Sequence, residues 1–597
     1  MVRTRARSGH RQRGALIFIT PLLLTAIALM SALIIDAARL YALKAEMQSQ
    51  VNAAATAASD ASQACGGPGV TMQDMSQRAL SAARAQGFDG DQADLNVQAG
   101  LLDASPDEPD QLVFQRASSF DQSNATLVSY RRDEPLSQLF PKLLGNVMLQ
   151  TNAAVRKEMI ATLSASGSAA GVGEGLLGSV LGALLNEPAY RLDPLDIDSL
   201  GNTLFRVGDI LGELGVDSLE AALPLGADQL ATALRSIAGA ASPAGELADD
   251  LLGVAGIDSV LVGDLIRTVE GAEAPDDATI RSYDLLVNLA LNIARQQQLS
   301  SGSPLEIRGL ETLGLPLLPA IAQDSLVLRL FVNRAPSIAV GPARRGTDGM
   351  WLTRFDAPGI SLEVEASLGL LSSVDLLGVV KFSLADLNIP LAIELGGGSG
   401  ELVSAKCARG TQNETTLGVR VVTKGVSLGS GSIEPATGEL LASPIQADIG
   451  RLTLLGGLFG SLLTIDPAVG LSLTIDGRLN GVETTINSDP YSLFCESSGC
   501  TRLRLGHAGG IGGLDLNVYD AQLVLLGEIT IAGLLDALLS LVLNLLNDAI
   551  SSLLEALVSP LAKALGVGVG GMQVSIEAAK QDSSQLIENV AVYSSAQ

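Results

Sequence analysis

The stretch Gly14–Ile35, GALIFITPLLLTAIALMSALII, is uncharged from end to end and directly follows Arg3, Arg5, Arg7, Arg11 and Arg13. With a rise of about 1.5 Å per residue, a helix of that length crosses the roughly 30 Å hydrocarbon core of a bilayer once. Basic residues beside a span resist translocation, which keeps the arginines cytoplasmic and places the chain beyond about Arg39 outside the inner membrane. A cleaved secretory signal also opens on basic and apolar stretches, but its apolar part is typically ~7–15 residues and ends in a small-x-small site. Here the run is longer and passes into Asp36-Ala37-Ala38-Arg39-Leu40-Tyr41 without a break, so an uncleaved signal-anchor is expected. Pro21, near the start of the run, is compatible with a membrane helix.

Asp36 and Arg39 stand three apart and share a helix face where the span ends. An interfacial ion pair that fixes depth is the expected role, with a contact to another membrane subunit as the rival. Small, helix-favouring residues continue the helix from Tyr41 to about Ala64, and Gly66-Gly67-Pro68-Gly69 stops it. A second helix fits Met72–Ala85. Strand-like pieces follow at Asp94–Leu101, Gln111–Gln115, Ala125–Tyr130 and Val147–Val155.

The order Arg13-Gly14, apolar span with Pro21, Asp36, Ala38, Arg39, Tyr41, Gln48 and the alanine-rich run Asn52–Ala61 resembles the TadE/TadG-like proteins of Flp (tight adherence) pilus assembly. The stretch Asn124–Ala154 resembles the strand, loop and strand of the same proteins, and Pro390–Cys407 resembles the C-terminal half of the larger ones. The resemblance implies an inner-membrane accessory protein of a bacterial Tad/Flp-type system, with a cytoplasmic N-terminus, a periplasmic bulk and other pilus-assembly membrane proteins as partners. One departure matters. Type IV prepilins are cut after a glycine and carry Glu at the fifth mature position, and counting from Ala15 that position is Ile19. The chain therefore looks like an uncut, anchored accessory protein and less like a filament subunit.

The remainder reads as α+β. The expected divisions are a basic tail at 1–13, the transmembrane anchor at 14–36, and a pilin-like helix plus small sheet at 37–162. A Ser/Gly/Ala-rich linker at 163–175 leads to a helical region at 176–304 and a β-rich C-terminal domain at 305–597. In the last, Ile360, Leu362, Val364, Ala366 and Leu368 alternate with mostly polar residues, as do Ile389, Leu391, Ile393 and Leu395. Gly533–Ser559 is apolar enough to be a second span, but Asp536, Ser540, Asn544, Asn547, Ser551, Glu555 and Ser559 recur every three or four residues. That polar stripe favours a long amphipathic helix buried on one side.

Composition excludes several classes. A net charge of −26 argues against nucleic acid, and 3% aromatic residues with a single tryptophan, Trp351, argue against a base-stacking platform. The chain has two histidines, His10 and His507, and neither a Gly-x-Ser-x-Gly elbow nor a phosphate loop is present. Asp121-Gln122-Ser123-Asn124-Ala125 only approximates the Asp-x-Ser-x-Ser metal site of some TadG-like relatives. No enzyme activity, cofactor, metal or small-molecule substrate is expected. Of the cysteines, Cys407, Cys495 and Cys500 share the β-rich region and are candidates for a disulfide outside the membrane, with Cys495 and Cys500 able to close a small loop. The leading reading is a non-enzymatic pilus-assembly component; the alternative is an extracytoplasmic lipid-binding or envelope-bridging module, suggested by the β-rich region and its apolar helix.

Overall fold

Alanine, leucine and isoleucine in an unbroken run give the first element, α1, a 46-residue helix from Gly14 to Ser59. The structure, a computed structural model, describes residues 14–105, 111–138, 141–165, 172–268, 278–308, 310, 317, 321–368, 374–376, 380–384, 387–409, 414–454, 468–492, 503–505, 515–525, 532–567, 572–581 and 583–593. The chain forms two compact units: residues 1–157 with 583–597, and residues 158–582.

In the first unit, α1 is followed by α2 (Met72–Ala85), β1 (Leu95–Ala104), β2 (Leu112–Arg116), β3 (Ala125–Pro135), the short helix α3 (Pro141–Leu144) and β4 (Asn146–Arg156). Thr71 and Asp74 form a reciprocal capping box that starts α2. The lower half of α1 presents Met47, Val51, Ala54, Ala55 and Ala58 to Met75, Ala79 and Ala83 of α2 and to Val128, Tyr130, Ala153 and Val155 of the sheet. Small alanines let the helix lie close to the strands, and Phe88 meets Tyr130 edge-on at 5.1 Å. Burial raises the Tyr130 phenol above its ordinary pKa.

β3 and β4 pair antiparallel from Ala125↔Arg156 to Pro135↔Asn146. The hairpin is closed by the Leu136 amide donating to the Gly145 carbonyl at 2.9 Å, with Gly145 in the left-handed region at φ 72°. Two strands from the far end of the chain complete this sheet. Gln585–Glu588 pairs with β4, and Val592–Tyr593 pairs with β2. Val590 and Ile587 cover Leu102, Phe114, Leu127 and Ala154 on the face away from α1.

That arrangement corrects the expected division of the chain. The C-terminal residues leave the β-rich domain, because the edge of β4 and an apolar face of the small sheet would otherwise be bare. The linker expected at 163–175 is also corrected. Met159–Ala165 is a fully buried strand held between Ile338–Pro342 and Val574–Gln581, and a helix begins at Val172. Its Ser and Ala are the small residues of a crowded sheet interior.

In the second unit, short helices run from Val172 to Ser301, interrupted by the strands Leu204–Arg206, Ile266–Thr268 and Thr279–Arg281. Ser218, in Val216-Asp217-Ser218, caps a short helix by its side chain, accepting from the Ala221 amide. Ile197-Asp198-Ser199 lies inside the helix Pro194–Asn202, and Ile257-Asp258-Ser259 is itself a single 3-10 turn. Downstream, Ile321–Arg334, Gly359–Leu368, Leu387–Leu395 and Val426–Ile433 pair in succession, all antiparallel. Ile360, Leu362, Val364, Ile389, Leu391 and Ile393 face the core as their alternation demands. Helix Ala532–Leu553 runs through a π turn at Leu554–Val558 into Ser559–Ala564, so Pro560 falls in a first turn and does not end the element. Val542, Leu546, Ile550 and Leu553 are buried in the core while Ser540, Asn544, Asn547 and Glu555 are exposed, the disposition of a packed amphipathic helix.

A buried ion pair anchors the centre of this unit. Arg281 Nη2 lies 2.6 Å from Asp284 Oδ1, Ser164 Oγ donates to Asp284 Oδ2 at 3.0 Å, and the Tyr283 hydroxyl donates to the Ala564 carbonyl at 2.7 Å. Asp284→Ala leaves the guanidinium uncompensated and is expected to cost about 3–5 kcal/mol, read as a fall in the denaturant midpoint; an unchanged midpoint would contradict this packing.

The chain leaves the first unit at Lys157 and returns at Ser583, and Arg156 pairs directly with Gln585. Joining Lys157 to Ser583 would leave Lys157, Ser583 and Ser584 as a hairpin loop of common length. Such a shortened chain, carrying Cys65→Ser and in detergent, is expected to keep the helix and sheet, measured by circular dichroism and protease resistance. Loss of the strand signal would contradict the inserted arrangement.

Candidate functional site

From Ile19 to Ile35 the side chains of α1 have no protein to lie against: Leu22 is 73% exposed and Ile34 68%. A run of exposed leucine and isoleucine is compatible with a membrane anchor. Pro21 sits inside the helix, and the Thr25 hydroxyl donates to its carbonyl at 2.8 Å. Cover by protein begins at Asp36, which is only 6% exposed.

The polar residues there do not pair with each other. Asp36 Oδ1 accepts the Gln138 amide at 3.2 Å and the carboxylate also takes a hydrogen bond from Ser137. Arg39 donates to Glu134 Oε2 at 3.3 Å and to the Pro135 carbonyl at 2.5 Å, while Arg132 Nε holds the other Glu134 oxygen at 2.7 Å. The expected Asp36–Arg39 ion pair is therefore replaced by two clasps on the tip of the β3–β4 hairpin. Both groups find better partners in that loop, where an amide, a hydroxyl, a carbonyl and a carboxylate converge on one helix face.

Gln48 ties α1 to the sheet farther along. Its Nε2 donates to Asn52 Oδ1 at 2.9 Å and to the Asn152 carbonyl at 3.1 Å, and Asn52 donates to Glu588 at 2.5 Å. Of the residues that carry the resemblance, Asp36, Arg39 and Gln48 thus all bind the small sheet. Tyr41 is 79% exposed, and Gly14 is the first residue of α1. Arg13 lies outside the described residues. The partners Glu134, Ser137, Gln138 and Asn152 had no individual signal in the sequence, beyond the charge run Arg131-Arg132-Asp133-Glu134 before Pro135.

At the lower end of α1, the Asp121–Ala125 segment has a structural role. Ser123 Oγ accepts the Gln63 amide at 3.1 Å, and Asn124 Oδ1 accepts the Leu102 amide at 3.0 Å. Both residues are fully buried. Lys157 closes the same region by a 2.5 Å bond to Asp60. Cys407 is disulfide-bonded, and so is the buried Cys65; Cys495, Cys500, His10 and His507 lie outside the described residues.

Elsewhere the chemistry is sparse. Among the described residues no three His, Cys, Asp or Glu side chains gather as a metal-ligand set. A cleft of about 370 Å³ is lined by Arg267, Asp348, Met350, Trp351 and Arg354. Its arginines already face Asp356 at 2.7 Å and Glu401 at 3.7 Å, and Arg345 lies over the Trp351 ring at 4.8 Å. An apolar cavity between Leu177, Leu181, Val287 and Leu291 has a volume of about 10 Å³, space for one water and not for an acyl chain.

No family model, curated protein or solved structure matches the chain, so the functional argument rests on these residues. Arg39→Ala removes both bonds to the hairpin tip and is expected to cost about 1–2 kcal/mol locally. Amide exchange at Leu136, Ser137 and Gln138 would accelerate roughly tenfold; unchanged exchange would mean that Arg39 does not hold the loop.

Proposed function

We propose that this chain is a non-enzymatic accessory protein of a Tad/Flp-type pilus assembly system, held in the bacterial inner membrane by residues 14–36 with its bulk in the periplasm. The observation that carries the reading is the use of Asp36, Arg39 and Gln48. These residues, quoted for the resemblance from sequence alone, each bond α1 to the small sheet. The motif thus has a physical purpose suited to an anchored head: it fixes a folded unit at the point where the helix emerges.

Orientation follows from Arg3, Arg5, Arg7, Arg11 and Arg13, which resist translocation. Disulfides at Cys65 and Cys407 suit an oxidising compartment. The absence of a glutamate at Ile19 removes the charge that would guide a subunit into a filament, which favours assembly over incorporation. The work of the protein is recognition: the uncovered span and the outward side of α1 meet other membrane components, and the large second unit serves the export route.

Deletion of the gene without polar effects is expected to abolish surface filaments counted by electron microscopy. The full chain should restore them, and a chain lacking Gly14–Ile35 should not. Unchanged piliation would sink the reading.

A further inference from the structure

The β3–β4 hairpin tip that clasps Asp36 also carries apolar side chains that no part of the first unit covers. Leu136 is 40% exposed, Leu144 42% and Met148 65%. They flank the closed loop in which the Leu136 amide bonds the Gly145 carbonyl, and Lys142 stands exposed among them. Large apolar residues gathered on one loop are costly in water and mark a contact surface.

Their depth is set by the clasp. Gln138 binds Asp36 at 3.2 Å and Pro135 binds Arg39 at 2.5 Å, one residue and one turn beyond the last uncovered isoleucine, Ile35. The loop is thus at the height where α1 passes from apolar surroundings to protein. Along the next two turns of the helix stand Tyr41 and Lys44, both exposed, residue types enriched at membrane–water boundaries.

We propose that the hairpin tip is a second membrane foot: Leu136, Leu144 and Met148 enter the interfacial region of the same bilayer that α1 crosses, with Lys142 at the level of anionic headgroups. The occupant of this surface is lipid, because the tip is held by Asp36 and Arg39 directly at the end of the uncovered apolar stretch of α1. Two points of contact fix the first unit against rotation about its single helix, which one span alone cannot do. This inference rests on the anchor reading given above, and the experiment separates the two.

Trp351 is the only tryptophan, so a Trp351→Phe background allows one reporter at a time in the full chain. The reporters are Ala28→Trp in the span, Leu144→Trp on the tip and Val592→Trp as a control. Val592 pairs with Phe114, beyond the Ala125 end of β3, which puts it roughly 33 Å or more from Pro135 along the strand direction. The protein is reconstituted into phosphatidylethanolamine and phosphatidylglycerol vesicles with or without brominated acyl chains. Blue-shifted, bromine-quenched emission at positions 28 and 144 but not at 592 is the expected result. Quenching at 28 with water-exposed emission at 144 overturns the second foot and leaves the anchor standing. No quenching at 28 overturns the anchor reading and the foot together, and equal quenching at 144 and 592 overturns the claim that the tip is a specific contact.

Discussion

A carboxylate buried at the end of an uncovered apolar helix is the constraint on which the first unit is built. Burial of a charge is costly unless hydrogen bonds replace water, and Asp36 has that replacement only because the β3–β4 hairpin brings the Gln138 amide and Ser137 to it. The same contact decides where the folded head begins. Before Asp36 the helix has no protein cover; after it, Met47, Val51 and Ala54 are buried against the sheet. Arg39 adds a second polar bond one turn on and Gln48 a third farther along, so the helix is joined to the sheet by polar bonds at the boundary and by alanine packing with one further polar bond below it.

This division of labour is physically sensible. On the proposed anchor reading, an apolar seam between helix and sheet at the bilayer surface would compete with lipid for the same side chains, whereas charge-assisted bonds to backbone carbonyls and amides are directional and have no lipid substitute. Farther along α1 the hydrophobic effect suffices, and the α1–α2–sheet core is rich in alanine and valine, with Phe88, Leu95, Tyr130 and the methionines as its large buried members.

Local order was legible in the sequence and long-range order was not. The helices α1 and α2 and the four strands of the small sheet lie close to where composition, breakers and alternation place them, because those signals depend on neighbouring residues. The positions of Asp36, Arg39 and Gln48 were legible as a motif, but their partners were not: Glu134 is 95 residues from Arg39 and Gln138 is 102 from Asp36. The closing strands at 585–588 and 592–593 escaped for the same reason, as nothing in Gln585–Tyr593 says which of many edges it will pair. The start of the linker expected at 163–175 was misread, since 163–165 belong to a strand, because small residues serve equally in a flexible segment and in a crowded sheet interior.

The inserted topology closes the small sheet with residues from both ends of the chain. Because Arg156 and Gln585 are neighbours across a strand pair, the chain leaves and returns at one hairpin, and the register of the small sheet is set by residues of the first unit. The second unit has a large aliphatic core, its own buried Arg281–Asp284 pair and a broad antiparallel sheet. The bonds that hold Asp36 and Arg39 are made within the first unit, so the burial of that carboxylate rests on the hairpin tip that the β3–β4 register puts beside it.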